Sequence, residues 1–514
     1  MNFRQIQAIL HSWFGIIVLW VIFFIFFTGS IAYFRTEINV WAQPEAISHI
    51  QTVPSAQHSA QTAFNYLNQH APNAKRWRVT VANERMPVNL LQWQDKEGKH
   101  QELQNPNTGE LLGPVRKTLG GDFFFKLHYT LYPLPSTFGS LVVAVVALIL
   151  LISLITGVIT HKKIIKEFFT FRAFKGQRSL LDLHHITGVI TFPFYLVMAF
   201  TGLLILFYLV LPWGLSEQYG KAGIPKFYNE MQFTEVAKPR EPSLTEAMQP
   251  FNQFMAQMPK RTESGAILDK FEVQKPNTAD GMITFDYNYK NIITLNTPQY
   301  IFATNTAERL NQPRNLSAIA QLGSSSYGIH LGYFASIWMR FILACLGIIG
   351  CVMLVAGALL WQTKRIKEQK KFGYRLVRHL NFFTFLGLPF ASAFYLMVNR
   401  IIPASFEPRE LYEVSAFYIA WLLSLLISFS CSIRKGIIIM LYITAAVLFL
   451  IPVISVVLVP EASLLNSLKS VHWSLVGVDL ALILLGLFYL VVLRFYQTKF
   501  ITLGEASGTR TTLI

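Results

Sequence analysis

The sequence predicts a mainly α-helical, polytopic membrane bundle of about eight spans, carrying two small α+β domains outside the membrane. Three observations lead there. Of 514 residues, 53% are apolar, 14% aromatic and only 14% charged, and the mean hydropathy is +0.40; a soluble chain of this length carries about a quarter charged residues. Apolar runs long enough to cross hydrocarbon, which takes about 20 residues, recur along the chain. Two long polar stretches, 36–137 and 214–335, separate the early runs.

The spans are expected near 12–34, 138–160, 186–211, 336–361, 381–402, 414–432, 437–459 and 474–493. They divide the chain into a first span (1–35), an outside domain (36–137), a second span (138–161), a basic loop (162–183) and a third span (184–213). A second outside domain (214–335), a fourth span (336–361), a second basic loop (362–380) and a region of four spans (381–514) complete it. The first run is long and ends without the small residues of a cleavage site, so it is expected to stay as an anchor.

The formal charge of +16 does not point to nucleic acid, because the cations sit between spans. One loop holds Lys162, Lys163, Lys166, Arg172, Lys175 and Arg178; the other holds Lys364, Arg365, Lys367, Lys370, Lys371, Arg375 and Arg378. Glu407, Glu410, Glu413 and Glu461 mark the loops of the opposite side. The positive-inside rule then puts both termini in the cytoplasm and both polar stretches outside, with lipid as the surrounding partner. The cysteines, Cys345, Cys351 and Cys431, all lie in apolar runs, where they read as small buried residues.

A repeat organises the first two thirds. His11 is followed by Gly15 and by Thr28-Gly29; His184 is followed by Gly188 and by Thr201-Gly202, each pair of positions 173 residues apart. Leu127-His128 precedes the second span, which ends on Thr156-Gly157; Ile329-His330 precedes the fourth, which ends on Ala356-Gly357. The unit is helix, outside domain, helix, used twice in one orientation, a common plan in membrane proteins. Each outside domain is expected to open on a helix (Ser55 to His70, Ser243 to Met258). Alternating strands follow, such as Arg76 to Val81 and Met282 to Tyr287, and a turn closes each domain: Asn107-Thr-Gly-Glu110 and Asn305-Thr-Ala-Glu308.

These residues carry a resemblance. Leu10-His11-Ser12-Trp13-Phe14-Gly15 with Thr28-Gly29 resembles the opening helix of the PepSY-associated transmembrane family, and the Asn-Thr-Gly-Glu turn resembles that of a PepSY domain. Leu127-His128 and Tyr327-Gly-Ile-His330 resemble the family's second and fourth helices, and Asn381, Gly387, Pro389, Asn399-Arg400 and Pro403 resemble the tail of its longer members. Ala307 replaces the turn glycine of that pattern, while Ser12 and His185 stand where an arginine is usual. The family includes haem-containing reductases of ferric siderophores in the bacterial inner membrane. The resemblance therefore implies that location, that activity, and a ferric siderophore or other ferric chelate as substrate.

The residues suit that chemistry. Two imidazoles saturate a haem iron, so a bis-histidine haem needs one histidine from each of two facing helices at one depth. The repeat offers this twice, with His11 and His184 at the cytoplasmic ends of their spans and His128 and His330 near the outer ends, which makes two b-type haems the expected cofactors. The ordinary reading of any single one is an interfacial histidine. His185 adjoins His184, but neighbours on a helix point about 100° apart, and the repeat spacing favours His184. His161 and His379 are possible substitutes in the inner pair. Arg340, about one turn into the fourth span, is a candidate partner for a haem propionate or a snorkelling residue. From His128 to Thr156 is about 42 Å if helical throughout, so Pro133 and Pro135 are expected to set His128 on a separate short helix or turn. Asp479 shares a face with His472 and is expected to pair helices or lie on a proton path.

No phosphate-binding glycine loop, dinucleotide fingerprint or HExxH is present. Electrons are therefore expected from a quinol or a separate cytoplasmic flavoprotein. Against the reductase stand two other readings, a haem-free transporter or permease-like protein and a PepSY-based regulatory scaffold.

Overall fold

The computed structural model describes residues 2–46, 50, 52–160, 171–172, 175–210, 212–232, 246–311, 316–470 and 472–507. Among the described residues, eight helices are long and apolar enough to cross a membrane: Phe3–Ala32, Ser136–Thr160, Gln177–Leu206, Ile337–Lys364, Phe372–Ile401, Arg409–Ser430, Ile433–Leu458 and Trp473–Thr498. They are called the first to eighth spans below. Each expected run is one of these helices, extended where polar residues cap or prolong it. Asn2 closes a capping box with Gln5, so the first span begins at Phe3 and places His11 about 12 Å inside the helix. The third begins at Gln177, and His184 lies about 10 Å inside it. Neither histidine stands at a helix end, where the apolar runs alone put it.

The chain folds as two compact units. The helical unit comprises Met1–Pro44, Arg116–Leu203 and Phe341–Ile514. The first span packs along the second and against a short helix, Gly120–Thr130, which ends where Leu131 takes a left-handed conformation (φ 49°) before the second span starts at Ser136. His128 thus has its own short helix, as the depth argument requires. Tyr195 of the third span donates to the Leu346 carbonyl of the fourth at 2.8 Å and stacks on Phe26 of the first.

The fifth span is interrupted by a π-turn at Phe383–Gly387. Pro389 follows it, and proline has no N–H to return to the preceding turn. The Phe383 carbonyl in this turn accepts the Trp421 indole N–H of the sixth span at 2.9 Å. The fifth packs on the sixth and seventh spans, and the seventh on the eighth.

The second unit, Glu45–Val115 with Leu204–Arg340, holds one six-stranded antiparallel sheet. Its strands are β1 (Arg76–Thr80), β2 (Asn89–Gln94), β3 (Lys99–Gln104), β4 (Leu268–Gln274), β5 (Met282–Tyr287) and β6 (Gln299–Ala303), in the order β3-β2-β1-β4-β5-β6. The two polar stretches were expected as separate domains. Each instead supplies a three-stranded meander, and β1 pairs with β4 in register Trp77 to Val273 and Val79 to Phe271.

The reason lies in the size of each half. A three-stranded meander leaves a hydrogen-bonding edge open and has little to bury; joining edges removes one from each and gives a shared core. That core puts Phe64 and Leu67 of helix Ala56–His70, and Phe251 and Phe254 of the second half, over Trp77, Val79, Phe271, Phe285 and Phe302. The second half's helix is shorter than expected, Phe251–Met255 after Pro250, because a proline disfavours helix in the residue before it; Ser243 lies outside the described residues.

The closing turns are alike despite their sequences. Gly109 has φ 80° and Ala307 φ 56°, each at the turn's left-handed position, and their N–H groups donate to Asn105 and Ala303 at 2.9 and 3.0 Å. Also in this unit, helices Pro212–Tyr219 and Gly223–Gln232 pack Leu215, Phe227 and Met231 against Ala320 of helix Ala318–Leu331.

Candidate functional site

Three of the four repeat histidines rest on the same local arrangement of a neighbouring helix. In an α-helix the side chain at i+4 covers the carbonyl at i, so a glycine at i+4 exposes that oxygen. His11 Nδ1 lies 3.0 Å from the Ser153 carbonyl, over Gly157; His184 Nδ1 lies 2.8 Å from the Met353 carbonyl, over Gly357. His128 Nδ1 lies 2.9 Å from the Ile25 carbonyl, over Gly29. A Cβ on Gly29 would come within 2.7 Å of the His128 ring, on Gly357 within 3.0 Å of His184, and on Gly157 within 3.2 Å of His11. The glycine after Thr28, Thr156 and Ala356 is therefore a slot for an imidazole.

A carbonyl accepts, so in each case Nδ1 carries the proton and donates. This fixes the neutral tautomer whose Nε2 lone pair is the one suited to a metal. Burial also holds the His128 imidazole below the ordinary histidine range, which favours that neutral form.

The structure brings His11 and His184 together. Their ring centroids are 6.2 Å apart with the planes at 65°. Metal–imidazole bonds run about 2 Å, and a ring centroid lies about 1 Å beyond its nitrogen, so two imidazoles on one metal have centroids about 6 Å apart. That separation is within the range of an edge-on ring pair and is also that of two imidazoles on opposite sides of one metal. Among the described residues no group of three or more His, Cys, Asp or Glu could hold a bare metal ion. A donor set of two imidazoles, each oriented by a carbonyl, fits a group that brings its own equatorial nitrogens, as haem does. One polar atom there has no protein partner, the buried Ser153 Oγ.

The other candidates fall in different places. His330 lies in the sheet-bearing unit, in the last turn of helix Ala318–Leu331, before the left-handed cap Gly332. His128 likewise lies in the last turn of its own short helix, before the left-handed cap Leu131. His185 is buried beside Asp182, whose carboxylate takes two side-chain N–H groups of Arg172 at 2.9 and 2.6 Å. His379 Nδ1 lies 3.0 Å from Ser428 Oγ and stacks on Phe429 at 4.1 Å, which ties it to the sixth span. Arg340 is 6% exposed, in the first turn of the fourth span. His161 lies outside the described residues.

Beyond the histidines, a buried polar cluster joins the C-terminal spans to the repeat, and the sequence reading missed most of it. Arg409 pairs with Glu413, Nε to Oε1 2.8 Å, both side chains fully buried. Arg409 also donates to the Asn399, Ile402 and Pro403 carbonyls, and Arg116 to Asn399 at 2.7 Å. These are the carbonyls that the end of the fifth span leaves without helical partners. Asp479 accepts the Trp41 indole N–H at 2.8 Å, and the Arg400 guanidinium lies 3.6 Å from the centre of the Trp41 ring. Of the two roles expected for Asp479, helix pairing has its partner here.

The fold defines a multi-pass membrane protein that also carries a sheet-bearing unit. The chain belongs to the family of the PepSY-associated TM region, whose sequence profile matches residues 8–364. The match covers the four spans that carry the repeat. Comparison with curated proteins gives no match.

Proposed function

We propose that this protein is a di-haem reductase of the bacterial inner membrane that delivers electrons to a ferric complex, most simply a ferric siderophore, on the periplasmic side. The 6.2 Å separation of the His11 and His184 rings carries the reading. His11 and His184 would hold the inner haem through Nε2, their Nδ1 atoms being tied to the carbonyls of Ser153 and Met353. His128 and His330 are assigned to the outer haem on the repeat alone. Haem held by these residues would supply one-electron exchange. The chain provides ligands, their tautomers and a dry path. The carbonyls fix the tautomers of the imidazoles, and the apolar spans exclude water.

Loss of one charge at the substrate iron weakens its hard oxygen ligands and frees Fe(II). Both termini and the basic loops face the cytoplasm in this proposal. The electron donor is then a quinol within the bilayer or a cytoplasmic flavoprotein.

The test is the visible spectrum of the detergent-purified protein, with a pyridine haemochrome count. About two b-type haems per chain are expected, falling to about one in His184→Ala. The dithionite-reduced protein should be reoxidised by a ferric siderophore, with Fe(II) captured by a ferrous chelator. A colourless protein, still so after haem supplementation during expression, overturns the reading and turns attention to transport or to a scaffold role.

A further inference from the structure

The slots for the three described imidazoles differ in a single hydroxyl. Each consists of a carbonyl at i, a residue at i+3 beside it and a glycine at i+4: Ile25, Thr28 and Gly29 for His128; Ser153, Thr156 and Gly157 for His11; Met353, Ala356 and Gly357 for His184. The last two triplets correspond residue for residue in the repeat. Thr156 Oγ1 donates to the Ser153 carbonyl at 3.1 Å, the same oxygen that His11 Nδ1 reaches at 3.0 Å. Thr28 Oγ1 turns instead to the Phe24 carbonyl at 2.7 Å and stands 3.4 Å from that of Ile25. Ala356 has no hydroxyl, and His184 Nδ1 comes closer to its acceptor, 2.8 Å from the Met353 carbonyl.

We propose that Thr156 is a positioning residue that weakens His11 as a ligand and so makes the His11–His184 pair electronically unequal. The proposal rests on the haem-ligation reading above. An N–H that donates to a strong acceptor makes the opposite ring nitrogen more basic and a stronger ligand. A carbonyl divided between a helix N–H, a hydroxyl and an imidazole has less to offer each. His184 is then the stronger donor and His11 the weaker. Strong axial donation favours the ferric state, so the Thr156 hydroxyl raises the reduction potential of the inner haem. That makes the inner haem easier to reduce by a donor as mild as a quinol. Of the two inner slots, only the one for His11 has this hydroxyl.

The experiment is an optical redox titration of the full-length, haem-loaded protein in nanodiscs, comparing Thr156→Val, Thr156→Ser and Ala356→Thr. The valine variant keeps the side-chain shape and should shift one of the two haems to lower potential while leaving the other unchanged. The serine variant should restore the parent value. Ala356→Thr adds the missing hydroxyl and should shift the same haem to higher potential. A protein that binds no haem overturns the ligation reading. A haem-loaded protein whose potentials are the same in Thr156→Val as in the parent overturns this inference and leaves ligation standing; so does a shift that Thr156→Ser fails to reverse.

Discussion

Gly29, Gly357 and Gly157 lie 2.7, 3.0 and 3.2 Å, measured from a Cβ built on each, from the rings of His128, His184 and His11. That order predicts an order of damage. Gly29→Ala forces an aromatic ring that is itself hydrogen-bonded to Ile25 to move, and overpacking of this kind costs about 1–3 kcal/mol. Gly157→Ala asks for a shift of a few tenths of an ångström and should cost less, with Gly357→Ala between them. Thermal unfolding of the detergent-solubilised variants measures the order, and equal stability of all three would show that the slots are not tight. In the sheet-bearing unit, Gly109 has the same role in its turn as Ala307 has in the other half. Gly109→Ala should therefore be tolerated at a cost of about 1–2 kcal/mol, the left-handed penalty of an L-residue.

At the scale of elements, the end of the fifth span depends on charges supplied by other segments. Arg409 neutralises buried Glu413 and caps the carbonyls of Asn399, Ile402 and Pro403. Arg409→Met removes both roles and leaves a buried carboxylate without its cation, a loss of about 3–5 kcal/mol. Glu413→Gln keeps groups that can meet Thr118 and Asn399 and should cost clearly less. Unfolding midpoints of the two variants check the order; a milder Arg409→Met would mean that the capping contacts contribute little. The sheet is similarly mutual. Trp77 is fully buried on β1 and donates its indole N–H to the Ala71 carbonyl at 2.9 Å. Trp77→Ala should cost about 3–5 kcal/mol and should loosen both meanders, because the core over β1 and β4 is common to them. Hydrogen exchange confined to the first meander would contradict that coupling.

For the whole molecule, acid response should concentrate in the sheet-bearing unit. Burial holds the Asp286 carboxyl above the ordinary carboxylate range. A raised carboxyl pKa means that the folded state keeps its proton longer than the unfolded chain, so its effect on stability is neutral in acid and becomes a penalty as pH rises through the folded value. Asp280 has the opposite sign, since the Lys275 ammonium beside it holds it low; that stabilisation is present above the unfolded value and is lost as pH falls through the folded one. Asp286→Asn is thus expected to raise the unfolding midpoint at neutral pH and to make little difference at the acid end. A midpoint gain equal at all pH values would assign the effect to packing instead of charge.

Much of this was legible in the sequence because hydrocarbon demands long apolar runs and duplication leaves fixed spacings. The eight spans, the short helix of His128 and the facing of His11 and His184 all follow from those two facts. Tertiary structure decided what no spacing records. Two open-edged meanders join as one sheet, because neither half can bury its own face or satisfy its inner edge. Thr28-Gly29, Thr156-Gly157 and Ala356-Gly357 serve as slots, a use that appears only when another helix brings an imidazole to the exposed carbonyl. Arg116 lies far in sequence from Arg409 and Glu413, and Glu413 reads there as a loop charge. They meet at the end of the fifth span because unpaired helix carbonyls in a low-dielectric interior need donors, and only folding brings such donors within reach.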